Sequence, residues 1–166
     1  SPSDVAAVGF VLDHKGAQEF TTDRGRLHAA VDMFAASPYI GISIVGTLRD
    51  LSQLLASIPE RRKVIIYIGP GQNFSTEVLS AMEKTTTQGT TPAFGSADQT
   101  VHLNQYNALL SLLRIANRAN VSIYTIHPNG LGVGSFDHGP EFLRLVAIST
   151  GARAVAPARA RAAVGS

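Results

Sequence analysis

The sequence predicts an α/β domain: a three-layer, Rossmann-like, mainly parallel sheet with one antiparallel edge strand. Three observations predict it. Short apolar runs at 5–12, 64–68 and 121–126 are rich in β-branched residues and read as buried strands. Segments with helical periodicity separate them, and alternation of this kind favours a parallel sheet covered by helices. Two of the runs end in turn formers, Gly69-Pro70-Gly71 and His127-Pro128-Asn129-Gly130, at the sheet edge where ligands bind in such folds.

The elements follow in order. VAAVGFVL (5–12) is nearly continuous apolar sequence, predicting a strand buried on both faces. Asp13-His14-Lys15-Gly16 is a turn into the more polar AQEFTT (17–22). Strands joined so closely run antiparallel, because a parallel return needs a crossover of about a dozen residues. Thr22 or Asp23 is placed to cap a helix over 24–36 with Leu27, Ala30, Val31 and Phe34 on one stripe, and Ser37-Pro38 stops it. Thr47 is expected to cap a second helix with Leu48, Leu51, Leu55 and Ile58 on one face, closed by Pro59. The strand VIIYI (64–68) comes next, introduced by Glu60-Arg61-Arg62-Lys63. Residues 71–101 are polar, with a short helical pattern near 77–83 and an aperiodic run beyond it. A long helix is expected over 103–119, with Tyr106, Leu109, Leu110, Leu113 and Ala116 inward, then the strand VSIYTI (121–126). A helix over 141–150 ends at Gly151, where a C-cap belongs, and 152–156 form a last short strand. Residues 1–156 are expected to form one domain and 157–166 a loose tail.

The totals exclude several classes. The 166 residues hold 14 basic and 12 acidic side chains, a net charge of +2, too even a balance for the basic stripe of a nucleic-acid binder. The chain lacks cysteine, which excludes disulfide and thiol chemistry. No apolar run reaches the roughly 20 residues of a membrane span, so this segment is not expected to insert into a membrane. Ser1-Pro2-Ser3-Asp4 has no charged n-region followed by an apolar core, unlike a signal peptide, and reads as a chain entered part-way.

Four stretches resemble von Willebrand factor type A domains, and a bacterial branch of them in particular: SDVAAVGFVLDHKGAQEFTTDRGRLHAAVDMF, RRKVIIYIGPGQNF, IANRANVSIYTIHPNGL and FLRLVAISTGARAV. They occur in the family's order over most of residues 3–156. The last departs from a Thr-Gly-Gly turn, with Ala152 at the second glycine. The resemblance implies a protein-interaction role in adhesion or assembly, with an unidentified protein as partner and a compartment outside the cell or in its envelope. It also implies a metal-ion-dependent adhesion site, built from an Asp-x-Ser-x-Ser run, a threonine in a later loop and an aspartate after a central strand. Mg²⁺ favours such a set of about six hard oxygens. Here the Asp-x-Ser-x-Ser run is missing, Thr47 alone matches the threonine, and Pro70 stands where the strand-ending aspartate belongs. No cofactor is therefore expected, and Mg²⁺ enters only if an upstream motif exists and tolerates Pro70. The resemblance further implies that the family's first strand and helix lie upstream, so that the isolated piece is unstable or prone to aggregate.

The residues expected to form the docking surface are Thr47, Gln72, Asn73, Phe74 and His127, at or near the carboxyl ends of strands. No catalytic residue is assigned. Gly69-Pro70-Gly71 lacks the lysine and the third glycine of phosphate loops and is expected to serve turn geometry. His127, Asp137 and His138 lack a regular ligand spacing and are expected in a solvent-exposed loop. The alternative function is a small-molecule or phosphate-binding domain, or an enzyme, using the Gly69–Asn73 and His127 loops together.

Overall fold

A computed structural model of the chain describes residues 4–11, 17–33, 43–58, 61–74, 99–128 and 139–155, with single positions at 80 and 84. Several expectations fall outside those residues: the 13–16 turn, Phe34, the short helix near 77–83 apart from its two single positions, the 85–98 run, the 129–138 loop with Asp137 and His138, and the 157–166 tail. The fold is α/β, with four helices, one parallel sheet and one antiparallel sheet among the described residues. The contacts divide the chain into two compact units, Ser1–Ile44 and Val45–Ser166.

In the first unit, β1 (Ala6–Val8) pairs antiparallel with β2 (Gln18–Thr21), and the register slips by one residue between Ala6↔Thr21 and Val8↔Gln18. The antiparallel hairpin matches expectation. The burial of its first strand does not, since β1 is short and mostly exposed. A strand in a two-stranded ribbon has too little around it to bury both faces. Among the described residues the pair forms a two-stranded sheet. Helix α1 (Arg24–Asp32) follows, capped by Asp23, whose Oδ1 accepts from the Gly25 and Arg26 N–H groups at 2.8 and 3.3 Å. Ala30 is buried and Leu27 half-buried, whereas Val31 is exposed and narrows the expected stripe.

The second unit contains α2 (Ile44–Ala56) from Val45 onward, β3 (Lys63–Ile68), α3 (Gln99–Arg118), β4 (Val121–Ile126), α4 (Gly139–Ser149) and β5 (Ala154–Val155). The sheet order is β3-β4-β5, all parallel, with Lys63↔Val121 through Ile68↔Ile126 in unbroken register. Right-handed crossovers in one steady direction place both connecting helices on the same face. Two contacts agree with that placement. The Thr125 hydroxyl donates to the Leu143 carbonyl of α4 at 3.1 Å, and Lys63 Nζ donates to the Ala119 carbonyl just past α3 at 2.9 Å. On that face Val121, Ile123 and Thr125 are buried beneath Leu109, Leu112, Ala116, Phe142, Leu143 and Val146 of the core. The opposite face carries Val64, Ile66 and Ile68, which are 46%, 63% and 67% exposed.

Both ends of the second crossover are specified locally. Gly151, at φ 72°, donates to the Ile148 carbonyl, and Ala152 donates to that of Ala147 at 2.8 Å, closing α4 in a Schellman motif. Thr150 Oγ1 accepts from the Ile123 N–H at 3.0 Å, supplying the ladder partner that short β5 does not reach. Asn120, at φ 53°, turns α3 into β4. In α2 the expected phase is wrong. Ile44, Val45, Leu48 and Ser52 are buried while Leu51 is exposed, because the Ser52 hydroxyl bonds the Leu48 carbonyl at 2.7 Å and is hidden without cost.

Candidate functional site

The carboxyl ends of β3 and β4 meet at the turn that the sequence marks out. Gly69 N–H donates to the Ile126 carbonyl at 3.0 Å, which sets the start of the turn beside His127. Tyr67 Oη then donates to the Pro70 carbonyl at 2.8 Å and pins the turn back on its own strand. Gly71 is required sterically: a Cβ there would overlap the backbone of Gly139, the first residue of α4. The glycines thus serve a close approach of turn to helix, in line with turn geometry rather than a phosphate cradle.

Beyond that contact the chain dives inward. Phe74 is 1% exposed and stacks on Phe142 of α4 with ring centroids 5.0 Å apart and planes 6° apart. It is a core residue, which corrects its place on the expected docking surface, because the turn delivers its ring under α4 rather than to solvent. His127 is 5% exposed, which corrects the expectation of a solvent-exposed loop. Its backbone N–H donates to the Val155 carbonyl at 3.4 Å, so β5 continues the ladder alongside it and its side chain falls on the helix-covered face with Val121, Ile123 and Thr125. Asn73 is exposed and Gln72 half-buried. Thr47 lies in the first turn of α2, which begins at Ile44, so it is not the cap residue. The structure therefore brings Gln72, Asn73 and His127 to one sheet edge and assigns Thr47 to another element.

Two polar atoms at this edge are buried without a hydrogen-bond partner, Gln72 Oε1 and His127 Nδ1. Orphaned groups of this kind cost about 1–3 kcal/mol each. They do not fit Mg²⁺, which favours hard oxygens and carboxylate charge, because the turn offers amides, an imidazole and Pro70. Among the described residues no three His, Asp or Glu side chains stand together. Among those same residues, no helix is long and apolar enough to cross a membrane.

Sequence reasoning missed Tyr67 and Gly139. Tyr67 reads as one more strand residue, and its bond to Pro70 exists only once the turn folds back. Gly139 opens α4 two residues before the expected start, and nothing in the local pattern marks its approach to Gly71. No known protein family, curated protein or solved structure matches the chain.

Proposed function

We propose that the chain is a noncatalytic protein–protein interaction domain of the von Willebrand factor type A kind, serving adhesion or assembly, with a degenerate metal-ion-dependent adhesion site. The observation that carries this is the corner at the end of β3. Its turn residues 69–74 carry no charge, and it is held at both sides, by Tyr67 on the Pro70 carbonyl and by the backbone of Gly139 against Gly71. Exposed Pro70 and Asn73 form its surface, beside half-buried Gln72. A preorganised corner of this sort suits recognition, because little ordering is left to oppose binding. The finer fold, one three-layer sheet with β2 as its antiparallel edge, belongs to the same proposal; the β1–β2 pairing and the parallel β3-β4-β5 order support it.

A second reading has an observation in its favour. The orphaned Gln72 Oε1 and His127 Nδ1 would regain hydrogen bonds from a small ligand seated at this edge. Thermal melts with Mg²⁺ and with nucleotides separate the two, since a ligand that binds only the folded state raises stability by mass action. The interaction domain is expected to show no shift that depends on this edge. A rise of several degrees with a nucleotide that Gln72→Ala abolishes would replace it with the small-ligand reading.

A further inference from the structure

At the opposite end of the same sheet lies a recess of about 570 Å³. Ile58, Ile115 and Ala119 supply apolar wall, and Arg61, Arg62 and Arg118 supply charge. Lys63 also lines it, but its ammonium is engaged on the Ala119 carbonyl at the end of α3. That contact offsets the half-unit negative charge of the helix C-terminus. The three guanidinium groups are thus not needed to neutralise the helix. Among the described residues none of the three makes a hydrogen bond or ion pair, and no carboxylate lines the recess. Three like charges around one concavity give it a positive potential that draws in an anion.

We infer that this recess binds a phosphate monoester with a short aliphatic body. The charge and the shape agree on that class. A monoester carries nearly two negative charges at neutral pH and presents three acceptor oxygens, which planar guanidinium forks bind in pairs. The apolar wall takes the ester's carbon chain, and the volume lies in the range of small-molecule sites. Inorganic phosphate satisfies only the charged half. The site is independent of the β3 corner and stands whether or not the proposed function does.

The experiment is calorimetric titration of the full 166-residue chain with monobutyl phosphate, inorganic phosphate and succinate, with thermal melts alongside. Monobutyl phosphate is expected to bind saturably and to raise the melting temperature. It should bind at least about tenfold tighter than inorganic phosphate, since each buried methylene is worth roughly a factor of four, and more tightly than succinate. The triple substitution Arg61→Gln, Arg62→Gln, Arg118→Gln, confined to exposed side chains, is expected to abolish binding without lowering the melting temperature of the free protein. Ile115→Ser is expected to erase the preference for the butyl ester while keeping phosphate binding. No saturable binding up to about 10 mM, equal affinity for the butyl ester and inorganic phosphate, preference for succinate, or full binding by the triple variant would each overturn the assignment.

Discussion

Gly71 and His127 show how little of a site's meaning rests on residue type alone. Both were visible in the sequence, one as a turn former and one as a strand-end histidine. The contact that defines Gly71 comes from Gly139 of α4, some 70 residues on, and the one that places His127 comes from Val155 of β5. Gly71→Ala is expected to destabilise the chain by about 2 kcal/mol or more, since the new methyl must push turn and helix apart; urea unfolding measures it. His127→Leu is expected to have little effect. With Nδ1 unpartnered, a leucine removes an orphan and keeps the bulk, so stability should stay within about 1 kcal/mol of the parent. A loss well above that in the same urea series would mean that the imidazole holds a partner. Phe74 was legible as a large residue near the turn, but its burial was not, because a loop sequence does not reveal which way a reversing chain delivers its side chain.

At the scale of the element, strands β3 and β4 were readable almost to the residue. The run of β3 is bounded by a basic turn before it and glycines after it, and that of β4 by Asn120 before it and His127-Pro128 after it. Gly151 was readable for the same reason, a single residue type suited to left-handed backbone. The phase of α2 was not. Its apolar residues cover two adjoining faces, and Ser52, the polar residue that should have marked solvent, satisfies itself on the helix backbone. Thr150 repeats that economy with more at stake, because its hydroxyl completes the ladder of β4. Thr150→Val is expected to cost about 2 kcal/mol by leaving the buried Ile123 N–H unpaired, while Thr150→Ser should cost less than about 1 kcal/mol. Chemical denaturation of the pair distinguishes a lost bond from lost packing.

For the molecule as a whole, the parallel α/β class followed from alternation of elements, and the strand order β3-β4-β5 decides what is left open. Lys63 and Gly69 donate to the Asn120 and Ile126 carbonyls, so the odd-numbered residues of β3 spend their backbone groups on β4. Those of Val64, Ile66 and Ile68 face away, and their side chains stand on the uncovered face. No strand among the described residues pairs with that outer edge, and an apolar edge without proline or charge between 64 and 68 invites a further strand. The chain is therefore expected to self-associate as its concentration rises, followed by sedimentation velocity. Ile66→Lys is expected to suppress that association while shifting stability by no more than about 0.5 kcal/mol. A parent chain that stays monomeric at micromolar concentration and melts cooperatively would remove this expectation. Composition carried no sign of the open edge, because VIIYI is the sequence of an interior strand and only its neighbours decide whether it is one.

The meeting of Gly71 with Gly139 has a mechanical side. Where two backbones approach this closely with no side chain between them, the tip of β3 and the head of α4 have nothing soft to yield. A displacement at the Pro70 corner is therefore expected to be felt at the start of the helix.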